Sequence, residues 1–68
     1  MDTISSRIKE LRIEKNLSQQ QLADAIGYKR YNISDWEQGR TEPHISAIIM
    51  LAKFLEVSTD YLLGVAGN

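Results

Sequence analysis

Sixty-eight residues, 43% hydrophobic and 25% charged, suffice for one small domain, because a second core cannot be built from so short a chain. Cysteine is absent, and the single histidine, His44, has no cysteine or second histidine to complete a metal shell. That excludes disulfide frameworks and most zinc sites, and no cofactor is expected.

In chain order, Ile4, Ile8 and Leu11 recur at helical spacing with charged residues between them, predicting an amphipathic first helix over residues 3–15. Asn16-Leu17-Ser18 breaks the pattern. Ser18, with Gln21 three residues on, reads as a capping box opening a second helix that runs to Ala25 or Ile26, with Leu22, Ala23 and Ile26 on its buried face. Gly27 supplies the backbone freedom for a turn. A third helix is expected from Lys29 or Arg30 to Gln38, with Ile33 and Trp36 on one face and Gly39 as its C-terminal stop. Pro43 sits at or just before the next helix start, and Ile45, Ile48, Leu51, Ala52 and Leu55 mark a fourth helix. Val57 is a hydrophobic anchor, Ser58 an N-cap, and Tyr61-Leu62-Leu63 a fifth, short helix ended by Gly64. No alternating pattern supports a sheet, so the expected fold class is all-α, a compact bundle of five helices. The domain is expected over residues 1–64, followed by a short tail, residues 65–68.

Leu22, Ala23, Ile26, Gly27, Tyr28, Ile33 and Trp36 are spaced as in a helix-turn-helix spanning about residues 19–38. Two helices crossing at roughly 90–120° through a short turn require a small residue at the contact and a glycine in the turn, which Ala23 and Gly27 supply. Ile26, Ile33 and Trp36 fill the wedge, and the intervening residues of the third helix are left pointing outward.

These residues carry a family resemblance. Ile8-Lys9-Glu10-Leu11-Arg12, Leu17-Ser18-Gln19 leading to Leu22-Ala23, and Ile33-Ser34-Asp35-Trp36-Glu37-Gln38-Gly39-Arg40 with Pro43 resemble the lambdoid repressor and Cro class of helix-turn-helix domains, the XRE family. Leu51-Ala52-Lys53-Phe54-Leu55, Val57-Ser58 and Asp60-Tyr61-Leu62-Leu63-Gly64 match its closing helices. The resemblance covers nearly the whole sequence and implies a lambda-repressor-like bundle that binds double-stranded DNA.

By that resemblance, Lys29, Arg30 and Tyr31 begin a recognition helix, with Ser34 and Asp35 one turn further along, and these five meet base edges. Arg30 suits a bidentate contact to guanine, Tyr31 a thymine methyl, and Asp35 either accepts from cytosine or repels wrong registers. Ser18 and Gln19, at the second helix's N-terminus, and Gln38 and Arg40, on the other flank, are expected at phosphates. For Ser18, capping its own helix is an equally good account. Arg12 and Glu37 match a pair that forms a salt bridge in the family and orients the recognition helix. Trp36 reads as core and His44 as solvated.

Two departures stand out. Lys29 occupies a position where the family commonly has serine or threonine, and an ammonium cannot accept the capping hydrogen bond, which predicts a late or frayed start to the third helix. Ile49, Met50 and Phe54 add apolar bulk to the fourth helix where the family is often polar. Either they close the core or, with Tyr61, Leu62 or Val65, they contribute to a two-fold dimer.

The charge is uneven. Residues 1–40 hold seven basic against six acidic residues, and residues 41–68 hold one against three, so the overall −1 masks a weakly basic N-terminal part. That balance counts against a domain that grips polyanions non-specifically and is compatible with one that binds DNA usefully only as a dimer, or as part of a longer chain, on a specific site; the resemblance implies a homodimer on a palindrome. No apolar run nears the roughly 20 residues of a membrane span, and Met1-Asp2-Thr3 lacks a signal-peptide layout, so a cytoplasmic address with no membrane partner is expected. The leading reading is a transcriptional regulator, a repressor acting by occlusion. The competing one is a protein-interaction module, such as an antitoxin or anti-repressor, with DNA contact secondary. No nucleophile-base-acid set, glycine-rich phosphate loop or paired-carboxylate cleft can be assembled, so an enzyme is not expected, nor is a small-molecule ligand evident.

Overall fold

The computed structural model describes residues 3–65. Its elements are α1 (Ile4–Glu14), α2 (Gln19–Ile26), α3 (Arg30–Gln38), α4 (Ile45–Leu55) and α5 (Thr59–Leu63), with no strand among the described residues. The predicted elements all form, with boundaries within a residue or so. The anticipated tail lies outside the described residues except for Val65, which is exposed.

The helix starts are made by short polar side chains. Thr3 accepts the Ser6 amide and Ser6 Oγ accepts the Thr3 amide, Ser18 and Gln21 exchange the same pair of bonds, and Ser58 Oγ accepts the Tyr61 amide. The ends share one device. Asn16, Gly27, Gly39, Glu56 and Gly64 all take positive φ, and the following amide reaches back to the carbonyl five residues earlier, as from Tyr28 to Ala23 and from Arg40 to Asp35. At Gly27 an added Cβ would meet nothing within 4 Å. Its φ of 78° is therefore what demands glycine, and the close approach of the helices rests on the fully buried Ala23.

The core takes Ile8 and Leu11 from α1, Leu22, Ala23 and Ile26 from α2, Ile33 and Trp36 from α3, Ala47, Leu51, Ala52 and Leu55 from α4, and Leu62 from α5. Tyr28 closes it edge-on to Trp36 with ring centroids 5.2 Å apart. Arg7 ties α1 to α5, donating from Nη1 to the Tyr61 carbonyl at 2.9 Å and lying 4.2 Å over the Tyr61 ring.

Two expectations are corrected. Ile45 is 76% exposed, because the first residue of α4 precedes the turn that meets the core, and the buried place belongs to Ala47. Leu62 is fully buried and so is no part of an outer surface. On α4, the exposed Ile45 and Ile49 flank the buried arc on one side and Met50 and Phe54 on the other, with Ser46 and Lys53 between them at helical spacing. The extra apolar bulk therefore widens the core stripe at both edges without forming one continuous outer face.

Candidate nucleic-acid interface

α3 packs against α2 and α1 and makes no comparable contact with α4 or α5, which leaves one side of it open. Ile33 and Trp36 point inward, and Glu37 joins them with its side chain only 3% exposed. Arg30, Tyr31, Ser34, Asp35 and Gln38 occupy the opposite side, within an arc of roughly 140° at 3.6 residues per turn. Arg30, Tyr31 and Gln38 are exposed, and Ser34 and Asp35 are half-buried. The four α3 residues expected at base edges thus share one outward face, with Lys29, also exposed, at its N-terminal end.

Lys29 is the N-cap of α3 and offers no side-chain acceptor, yet the helix begins at the very next residue. The expected late or frayed start does not occur. Asn32 Oδ1 accepts the Lys29 amide at 3.1 Å, and the Lys29 carbonyl accepts the Asn32 amide at 2.9 Å. Asn32 makes the reciprocal half of a capping box without its usual partner. Sequence reading passed over it because the template sought begins with a hydroxyl or carboxylate at the cap.

Behind the open face, Glu37 collects three donors. Arg12 Nε reaches Oε2 at 2.7 Å, Arg12 Nη2 reaches Oε1 at 3.1 Å, and Gln19 Nε2 reaches Oε1 at 3.1 Å. Arg12 Nη1 also donates to the Leu17 carbonyl at 2.7 Å. One carboxylate on α3 is thereby tied to α1, to the loop before α2 and to the first residue of α2. Gln19 is expected at a phosphate through the helix N-terminus, and its side-chain amide turns inward to Glu37. Its backbone N–H heads α2 beside that of Gln20, two first-turn donors without intrahelical partners, whereas the Ser18 amide is taken by Gln21.

At the far end, Gln38 Nε2 donates to Ser34 Oγ at 3.0 Å, and Arg40 Nη1 lies 3.5 Å from Asp35 Oδ1. Near the N-terminal end, an open recess of about 390 Å³ is lined by Gln20, Asp24, Tyr28, Lys29, Arg30 and Tyr31, where Gln20 holds Asp24 at 2.9 Å. Among the described residues no group of acidic, histidine or cysteine side chains is placed to hold a metal ion. Among the described residues, too, no helix is long and apolar enough to cross a membrane.

A helix-turn-helix family model matches residues 8–62. Among characterised and uncharacterised relatives, a SPbeta prophage-derived HTH-type transcriptional regulator of Bacillus subtilis, YonR, is 40% identical over 57 residues, 84% of this chain and 53% of the relative. Among solved structures, the P22 c2 repressor in complex with a synthetic operator superposes with a TM-score of 0.91 at 32% identity, covering 97% of this chain and all of that one. SinR, a master regulator for biofilm formation, in complex with DNA, gives 0.82 at 31% identity over 88% of this chain and 97% of its own. The chain spans about half the length, or less, of the curated relatives it matches.

Proposed function

The chain belongs to the XRE-type helix-turn-helix family, and on that footing we propose that it is the DNA-binding domain of a transcriptional regulator, a repressor that inserts α3 in the major groove. The observation that carries this reading is the open face of α3, on which Arg30, Tyr31, Ser34 and Asp35 project together while Ile33, Trp36 and Glu37 anchor the helix from behind. The operator-bound P22 c2 repressor and DNA-bound SinR, both alike in fold, support it.

In this reading Arg30 pairs with guanine, Tyr31 packs on a thymine methyl, and Lys29, Ser34 and Asp35 meet neighbouring base edges. The α2 N-terminus receives one phosphate through the Gln19 backbone amide, with the Ser18 hydroxyl donating beside it, and Gln38 and Arg40 reach another. The Arg12–Glu37 pair orients α3 without touching DNA. Two copies act as a homodimer on a palindrome with half-sites about one helical turn apart, in the cytoplasm, and repression follows from occlusion.

Random-pool DNA selection with the wild type and Arg30→Ala tests the assignment. A motif should emerge, and the variant should weaken binding and relax one base position. If Arg30→Ala leaves binding to every sequence unchanged, α3 is not the reading helix. Ultracentrifugation that finds only monomer up to near-millimolar protein would remove the homodimer.

A further inference from the structure

On the outward side of α3, residues assigned to bases are already joined to residues assigned to the backbone. Asp35 faces Arg40 across 3.5 Å, and the chain geometry brings the two residues together: Gly39, at φ 76°, turns the backbone so that the Arg40 amide donates to the Asp35 carbonyl at 2.9 Å. The Arg40 side chain is 67% exposed and the Asp35 side chain 32%. A pair so open is weakly held and readily exchanged. Asp35 is acceptor-only when ionised and lies on the face turned toward the polyanion, where an unpartnered carboxylate is disfavoured.

We propose, resting on the reading of α3 given above, that the Asp35–Arg40 pair is a base-dependent latch. Asp35 releases Arg40 to a phosphate where the facing base presents an exocyclic amino group, cytosine N4 or adenine N6, which takes over as donor to the carboxylate. Where that edge presents an acceptor, guanine O6 or thymine O4, Asp35 keeps Arg40 and the domain forfeits a phosphate contact. A wrong base at this one position therefore costs twice, once at the base edge and once at the backbone. Asp35 is a specificity-determining residue whose effect is transmitted through Arg40.

The coupling has a signature that plain base recognition lacks. The slope of log K against log salt measures phosphates neutralised, at roughly −0.9 each. Selection first identifies the motif; binding is then measured from low to moderate salt on the preferred site and on sites changed at each single position. At the position read by Asp35, the wild type should lose roughly 5- to 150-fold in affinity and its slope should become shallower by about 0.9 for each domain bound at a changed half-site. In Asp35→Ala the preference at that position should flatten and the slope difference vanish, and Arg40→Ala should keep only the base-edge part of the preference and show the shallow slope on both sites.

A wild-type slope identical on preferred and changed sites overturns the latch while leaving the DNA reading intact, as does an Asp35→Ala variant with unchanged base preferences. Failure of the wild type to enrich any motif overturns both. Circular dichroism of each variant separates these outcomes from loss of fold.

Discussion

Replacing Arg12 with methionine tests how α3 is held. The side chain is of similar length, so packing changes little, but Glu37 loses two of its three donors and keeps only the neutral Gln19 amide. With the Glu37 side chain 3% exposed and that of Arg12 13%, this pair is buried, and removing one partner of a buried pair costs about 3–5 kcal/mol. A domain of this size has roughly 3–10 kcal/mol in total, at about 0.05–0.15 kcal/mol per residue. The single substitution therefore removes a large share of the stability and lowers Tm by more than about 12 °C, at 4–8 °C per kcal/mol. Glu37→Met should cost less, about 2 kcal/mol, because Arg12 retains the Leu17 carbonyl and its nearness to water. The double variant leaves no stranded carboxylate and should cost no more than about 3 kcal/mol, a coupling of about 2 kcal/mol or more. Urea titration followed by far-UV circular dichroism measures all four species. If the two single losses add in the double to within about 0.5 kcal/mol, the two side chains act independently and the account of Glu37 as the tie point is wrong.

Glu56 ends α4 at φ 62°, a conformation costing an L side chain about 1–2 kcal/mol, so Glu56→Gly should stabilise by roughly 0.5–1 kcal/mol after the entropy cost of glycine. Its 3.9 Å pair with Lys15 is too exposed to offset this, and a lower urea midpoint would contradict the backbone argument. Asn32→Ala should cost about 1 kcal/mol by freeing the Lys29 amide, and Lys29→Ser in that background should recover much of it by capping from the other side. Hydrogen exchange reports directly on the first turn of α3: equal protection there in Asn32→Ala and wild type would show that the contact does not hold the helix start.

The helices were legible because each level of the sequence agrees with the next: apolar spacing, Ser18 and Ser58 as caps, Gly27, Gly39 and Gly64 as stops. Where the stop carries no glycine signal, at Glu56, the chain accepts strain that composition does not reveal. Ala47 was missed as core because a small residue between larger ones adds little to a periodic pattern, whereas Ile45 was over-read because periodicity ignores which turn first meets the core. In the candidate site, the outward direction of Arg30, Tyr31, Ser34 and Asp35 follows from the inward Ile33 and Trp36. What spacing could not show is pairing across the chain. Gln19 bonding to Glu37, or Arg40 folding back on Asp35, depends on the angle at which helices meet and on the turn at Gly39.

The same pairings constrain how a chain of net charge −1 can hold DNA at all. Of its cations, Arg7 is spent on Tyr61 and Arg12 on Glu37, Lys15 lies near Glu56, and Lys53 sits on α4. Lys9 borders a recess that also holds Glu37 and Glu42. Lys29, Arg30 and Arg40 remain at the open face, matched there by Asp24 and Asp35. With Lys29 and Arg30 committed to base edges, Arg40 alone neutralises a phosphate and gives a salt slope near −0.9 per bound domain, whereas all three cations at phosphates would give roughly −2.7. Steep, sequence-independent affinity is thus unavailable to one copy, which is why the proposed reading draws occupancy from base edges and from two copies on one palindrome. Binding titrations across salt should give a per-domain slope in that interval; one steeper than about −4 would place other cations on the DNA and require a different face from the one α3 presents.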